Sequence, residues 1–129
     1  MRNNLEHCEQ KALIQWADMQ PLARYTLKAG HIGDYLAAIP NGGNRSALTG
    51  AILKSEGVRA GFPDMILTLP NNKYHSLFIE LKAKTKTARV SDSQKIWLER
   101  LNGCGYLAQV AYGFEEAKQL IEDYLTNKV

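Results

Sequence analysis

Residues 61–84 read GFPDMILTLPNNKYHSLFIELKAK. Met65-Ile66-Leu67-Thr68-Leu69 is one apolar run and Leu77-Phe78-Ile79 is a second, and the Pro70-Asn71-Asn72-Lys73 cluster between them has turn chemistry. The stretch therefore reads as an antiparallel hairpin. Asp64 opens its first strand, while Glu80 and Lys82 close its second. In such a hairpin the start of one strand meets the end of the other. Along a strand, residues i and i+2 share a face. Glu80 and Lys82 are thus expected side by side, near Asp64, with Leu81 on the opposite face.

Two close carboxylates repel each other unless a cation sits between them. A hard divalent ion fills that role, and all-oxygen ligation suits magnesium. An ammonium beside the ion steadies developing negative charge or orients a water. From Lys82 to Arg89 the chain carries Lys82, Lys84, Lys86 and Arg89 and no acid, which suits a polyanionic phosphodiester. Taken alone, Glu-Leu-Lys is a common tripeptide and is usually a solvated charge pair. The order, spacing and strand context give it weight.

The rest of the chain supplies the frame. Its 129 residues suit one domain spanning 1–129, and 45% hydrophobic content is ordinary for a globular protein. No apolar run approaches the roughly 18 to 20 residues of a membrane helix, and the first residues do not resemble a secretion signal. Cys8 and Cys104 are far apart and form no CxxC, so a cytoplasmic location is expected. Net charge is only +3, and it does not by itself imply nucleic acid.

Leu5, Cys8, Ala12, Leu13 and Trp16 recur at helical spacing within 5–19, and Pro21 follows the end of that helix. A weaker helix is expected over about 21–29. A short strand at Tyr35–Ile39 runs into the Pro40–Arg45 loop, and a short helix over 46–56 stops at Gly57. Ser91-Asp92-Ser93-Gln94 is a capping box opening a helix, which Gly103-Cys104-Gly105 stops. Tyr106–Tyr112 reads as a strand and Phe114–Leu125 as a last amphipathic helix. The principal elements run α, β, β, β, α, β, α, which implies a mixed sheet covered by helices. His7, His31 and His75 lack metal-like spacing, and Trp16 and Trp97 read as core. Asn41, Gly42, Gly43 and Arg45 form a loop suited either to a plain turn or to a phosphate contact.

Five separated motifs resemble the VRR-NUC domain, the virus-type replication-repair nuclease branch of the PD-(D/E)xK superfamily. They are Ile39–Gly43, Gly57–Asp64, Glu80-Leu81-Lys82, Ser91–Gln94 and Gly105-Tyr106. Glu6-His7 and Glu9-Gln10 also resemble its stand-alone phage form. The resemblance covers about residues 5–125. It implies a restriction-endonuclease-like α/β fold and a Mg2+ or Mn2+-dependent endonuclease that hydrolyses DNA phosphodiesters, often in branched DNA. Asp64 and Glu80 resemble the metal carboxylates, Leu81 the residue lending a backbone carbonyl, Lys82 the catalytic lysine and Gln94 the supporting glutamine. A glutamate on the first helix usually completes the metal's surroundings. Spacing to Gln10 favours Glu6, and proximity to the apolar stripe favours Glu9. The sequence leaves the two open, with Glu6 preferred on its spacing to Gln10.

Lys84, Lys86, Arg89, Arg45 and Asn41 are the expected DNA contacts. Size and resemblance together suggest a homodimer acting on a substrate with two-fold symmetry, such as a four-way (Holliday) junction in DNA repair. No membrane and no small-molecule cofactor are expected. The alternative is a module of the same fold that binds branched DNA without cutting it.

Overall fold

In chain order the elements are α1 (Asn4–Met19), β1 (Leu36–Ala38), α2 (Ala47–Ser55), β2 (Met65–Leu67), β3 (Leu77–Lys82), α3 (Asp92–Asn102), β4 (Leu107–Tyr112) and α4 (Gly113–Leu125). Single 3-10 turns occur at Leu22–Arg24 and Ile32–Tyr35. The computed structural model describes residues 4–40, 47–85 and 88–129. The strands form one sheet in the order β1-β2-β3-β4. β1 and β3 both pair antiparallel with β2, and β4 pairs parallel with β3. The sheet is mixed, as expected.

The hairpin forms because its turn supplies its own hydrogen bonds. The Asn71 side-chain oxygen accepts from the backbone of Lys73 (2.9 Å) and Tyr74 (2.8 Å), and the Asn71 amide N–H reaches the Tyr74 carbonyl (3.0 Å). That side chain closes the turn and sets the register, with Met65 opposite Ile79 and Leu67 opposite Leu77. The turn is also fastened to α4. The buried Tyr124 hydroxyl donates to the Leu69 carbonyl at 2.7 Å. Asn71 donates through its side-chain amide to the Tyr124 carbonyl at 3.1 Å.

All six residues of β3 are buried, because both of its faces are covered. Leu77, Ile79 and Leu81 join the main core with Leu13 and Ala17 of α1 and Ala117, Leu120, Ile121 and Tyr124 of α4. Phe78 faces the other way, into a smaller cluster with Leu101, Ala108, Phe62 and Trp97. Phe62 meets Phe78 and Trp97 edge-on, with ring centroids 5.7 and 4.8 Å apart. α3 thus covers the face that carries Phe78, Glu80 and Lys82, and α1 and α4 cover the other.

Two expectations are corrected. The segment 21–29 is no helix. Pro21 lacks an amide N–H and pairs as an isolated bridge with His31, so only Leu22–Arg24 winds, into one 3-10 turn. Leu22 is buried there but Leu27 is fully exposed, so the stretch has no apolar stripe to bury. The apolar stripe of α1 is buried only in its second half. Leu13 and Ala17 are in the core and Trp16 is packed against it, whereas Leu5 and Cys8 are exposed.

Candidate active site

The antiparallel register places Met65 opposite Ile79, so the next pair outward is Asp64 and Glu80. β2 ends there, and Leu81 has no strand partner on that side. Asp64 replaces it: its Oδ2 accepts the Leu81 amide N–H at 2.7 Å. The Asp64 backbone carbonyl meanwhile accepts from Ile39 at 2.7 Å, prolonging the pairing of β1 with β2. Asp64 is therefore held at both its backbone and its carboxylate. Within an extended strand, the N–H and C=O of one residue leave on the same side. The Leu81 carbonyl accordingly leaves toward the Asp64 side of β3.

Glu80 and Lys82 emerge from β3 on the face covered by α3, two and four residues beyond Phe78. Both are buried, at 3% and 9% exposure, where charged side chains survive only with partners. Lys82 Nζ lies 3.9 Å from Glu80 Oε2, an ion-pair distance rather than a hydrogen bond. The same oxygen accepts from Gln94 Nε2 at 3.1 Å.

Gln94 does two jobs. Its backbone N–H donates to the Ser91 hydroxyl at 3.2 Å, and its side-chain Oε1 accepts from the Ser91 amide at 2.8 Å, which is the capping box read from the sequence. Oε1 closes the cap and Nε2 reaches Glu80, so capping and site contact hold together. What brings the start of α3 so close is Gly61, whose role the sequence did not disclose. A Cβ added there would lie 2.5 Å from the Ser93 carbonyl carbon and 2.7 Å from the Gln94 nitrogen, and its φ is +83°. Only glycine permits that approach.

Glu9, which helix geometry favoured as the site carboxylate, is engaged elsewhere. It accepts the backbone N–H of Phe114 at the start of α4, where a carboxylate meets the positive end of the helix dipole. Glu6 is half-buried on α1. Among the described residues no group of three or more His, Cys, Asp or Glu side chains gathers, so Glu6 does not join Asp64 and Glu80 as a third clustered carboxylate. Lys84, two residues beyond the end of β3, is exposed, and so is Arg89. Asn41, Arg45 and Lys86 lie outside the described residues.

The site therefore consists of two carboxylates on facing strand ends, a buried lysine and a helix-borne glutamine. A family model for the VRR-NUC domain matches residues 4–115. The chain belongs to the VRR-NUC family. A solved structure titled "VRR_NUC domain protein" superposes with a TM-score of 0.79 at 29% identity, covering 96% of this chain and 90% of the other. Among curated proteins, none matches. Membership in the VRR-NUC family makes this a nuclease-type domain that processes DNA, on the restriction-endonuclease-like α/β fold expected. Among the described residues, no helix is long and apolar enough to cross a membrane.

Proposed function

We propose that the protein is a divalent-metal-dependent endonuclease that hydrolyses phosphodiester bonds in DNA, preferring branched DNA such as four-way junctions and acting as a homodimer. The observation that carries the reading is the meeting of Asp64 and Glu80 across the β2–β3 register, with Lys82 and Gln94 both on Glu80 Oε2. The donor set fits Mg2+ or Mn2+. It is all oxygen, and magnesium is usually held by one or two carboxylates, with water and substrate phosphate supplying the rest. Asp64, Glu80 and the Leu81 carbonyl would hold the ion, while Glu9 serves α4. When bound, the ion supplies Lewis-acid polarisation of the phosphate and eases ionisation of a water.

The chain's own residues do the remainder. Lys82 is fixed by Glu80 and by burial, so its ammonium is oriented before substrate arrives and can hold the attacking water and steady the charge that develops on phosphorus oxygens. Gln94 keeps Glu80 in place and ties it to the start of α3. Lys84 and Arg89 are exposed and would hold the DNA backbone by phosphate contacts, together with Lys86, Arg45 and Asn41. A C2 pair gives two such sites, which suits cutting two strands of a symmetric junction.

The direct test incubates the protein with labelled linear duplex, flap and four-way DNA, with and without Mg2+ or Mn2+. Cleavage only with metal, fastest on the branched substrates, is expected. Binding of four-way DNA with no cleavage under either metal would leave the non-catalytic module as the reading.

A further inference from the structure

Beyond Lys82 the same face of the sheet continues into a cleft that the catalytic constellation does not use. It has a volume of about 530 Å³ and is lined by Lys84, Thr85, Ala88 and Tyr112. Tyr112 pairs with Lys82 in the parallel β3–β4 register, and paired residues of adjacent strands share a face. The Tyr112 ring is therefore on the site's face, one strand over from Lys82. It is half-buried, and its backbone N–H is taken by Glu116 Oε1 at 3.1 Å.

Lys84 is exposed, but its stem is seated. A Cβ built on Gly113 would lie 3.0 Å from Lys84 Cβ and 3.5 Å from its Cγ, so the stem runs along the β4–α4 junction next to Tyr112. The start of α4 is itself no anion site, because Glu9 already occupies the Phe114 amide. The cleft thus pairs one aromatic ring with one ammonium, immediately beside the proposed scissile position.

Resting on the nuclease reading above, we infer that this cleft takes one unpaired nucleotide next to the scissile phosphate, its base stacked on Tyr112 and its phosphate held by Lys84. A ring stacks on any base face without reading sequence, and a lysine beside it follows the backbone. In continuous duplex the bases are stacked on one another and cannot enter. At a branch, flap or frayed end they can. Tyr112 is then the residue through which strand discontinuity is recognised, and a specificity determinant rather than a catalytic residue.

The test uses the whole chain without metal, in EDTA, and a duplex bearing a single-stranded flap whose first unpaired base is 2-aminopurine. Stacking on Tyr112 should quench the probe on binding. Y112F should keep the quench. Y112L, which preserves apolar bulk and should fold normally by circular dichroism, should lose it and weaken flap binding relative to continuous duplex by roughly 10-fold. K84A should weaken flap binding and lower its salt slope by about 0.7. Equal fluorescence for wild type and Y112L when DNA is bound, or an unchanged flap-to-duplex ratio in Y112L, would overturn the inference. Those readouts need no cleavage. Failure of the nuclease reading would appear separately, as wild-type protein that cuts no DNA with Mg2+ or Mn2+.

Discussion

The Asp64 and Glu80 carboxylates differ in how cleanly they can be tested. Asp64→Asn keeps an oxygen that can accept the Leu81 N–H, so the strand end stays intact while one negative charge is removed. Calorimetric titration should show Mg2+ or Mn2+ affinity falling on the order of 10-fold or more, and cleavage should disappear. Unchanged affinity would remove Asp64 from the metal site. Glu80→Gln is less clean, because it leaves the buried Lys82 ammonium facing a neutral amide. Losing one partner of a buried pair costs about 3–5 kcal/mol, so its stability must be measured alongside. Gln94 allows its two roles to be separated. Gln94→Glu can still close the capping box, since glutamate serves there as well as glutamine. It replaces the donor to Glu80 with a second carboxylate. The carboxylate it places against buried Glu80 lowers the melting temperature by repulsion even with the cap closed, and cleavage should drop severely. Cleavage by Gln94→Glu at the wild-type rate would remove Gln94 from the site. Asp64, Glu80, Lys82 and Gln94 were legible because each follows from local rules: strand parity, hairpin register and a capping box. Glu9 was not. Its partner, Phe114, is 105 positions away, and no local periodicity encodes that contact.

At the scale of elements, the β2–β3 hairpin and the start of α3 decide the site's geometry. Gly61 and Gly57 offer a controlled comparison, since both have positive φ, +83° and +103°. Nothing lies within 4 Å of a Cβ at Gly57. Gly57→Ala should therefore cost only the conformational strain, about 1 kcal/mol, and leave cleavage intact. Gly61→Ala adds a collision with the Ser93–Gln94 backbone. It should lose more stability and also push Gln94 off Glu80, lowering cleavage. Thermal melts and rates on the two variants check this, and similar rates in both would show that the approach of α3 does not matter. The hairpin's anchor on α4 has a pH signature. Burial pushes the Tyr124 hydroxyl from 10.0 up to about 12. A raised folded value means that this stability is complete below about pH 10 and is lost as pH rises toward 12. Alkaline unfolding should therefore steepen over that window, and Tyr124→Phe should flatten it while losing about 1–2 kcal/mol at neutral pH through the Leu69 carbonyl. An identical alkaline profile in Tyr124→Phe would assign the loss to another group. The hairpin was readable because alternation and Asn71 agree. The 21–29 segment was not, because Pro21 and the bridge to His31 override its weak helical spacing.

For the molecule as a whole, charge placement matters more than net charge, which is only +3. Lys84 and Arg89 are exposed, and removing one cation from a DNA phosphate reduces the salt slope on duplex DNA by about 0.9. Lys84→Ala with Lys86→Ala should flatten the slope by roughly one to two units per protomer. A C2 dimer engages both strips on a four-way junction, so the change there should be about twice that on linear duplex. Equal changes on both substrates, or a monomer by light scattering, would remove the two-site model and leave the single-site nuclease standing. Under the proposed function, Lys82 acts in the chemical step rather than in holding DNA. Losing such a group typically costs about 10²-fold or more in rate. The deciding measurement is the single-turnover cleavage rate of four-way DNA with Mg2+ for wild type and Lys82→Ala, with the affinity of each for the same DNA measured without metal. A rate loss of roughly 100-fold or more with nearly unchanged affinity is expected. Cleavage by Lys82→Ala at the wild-type rate would contradict it.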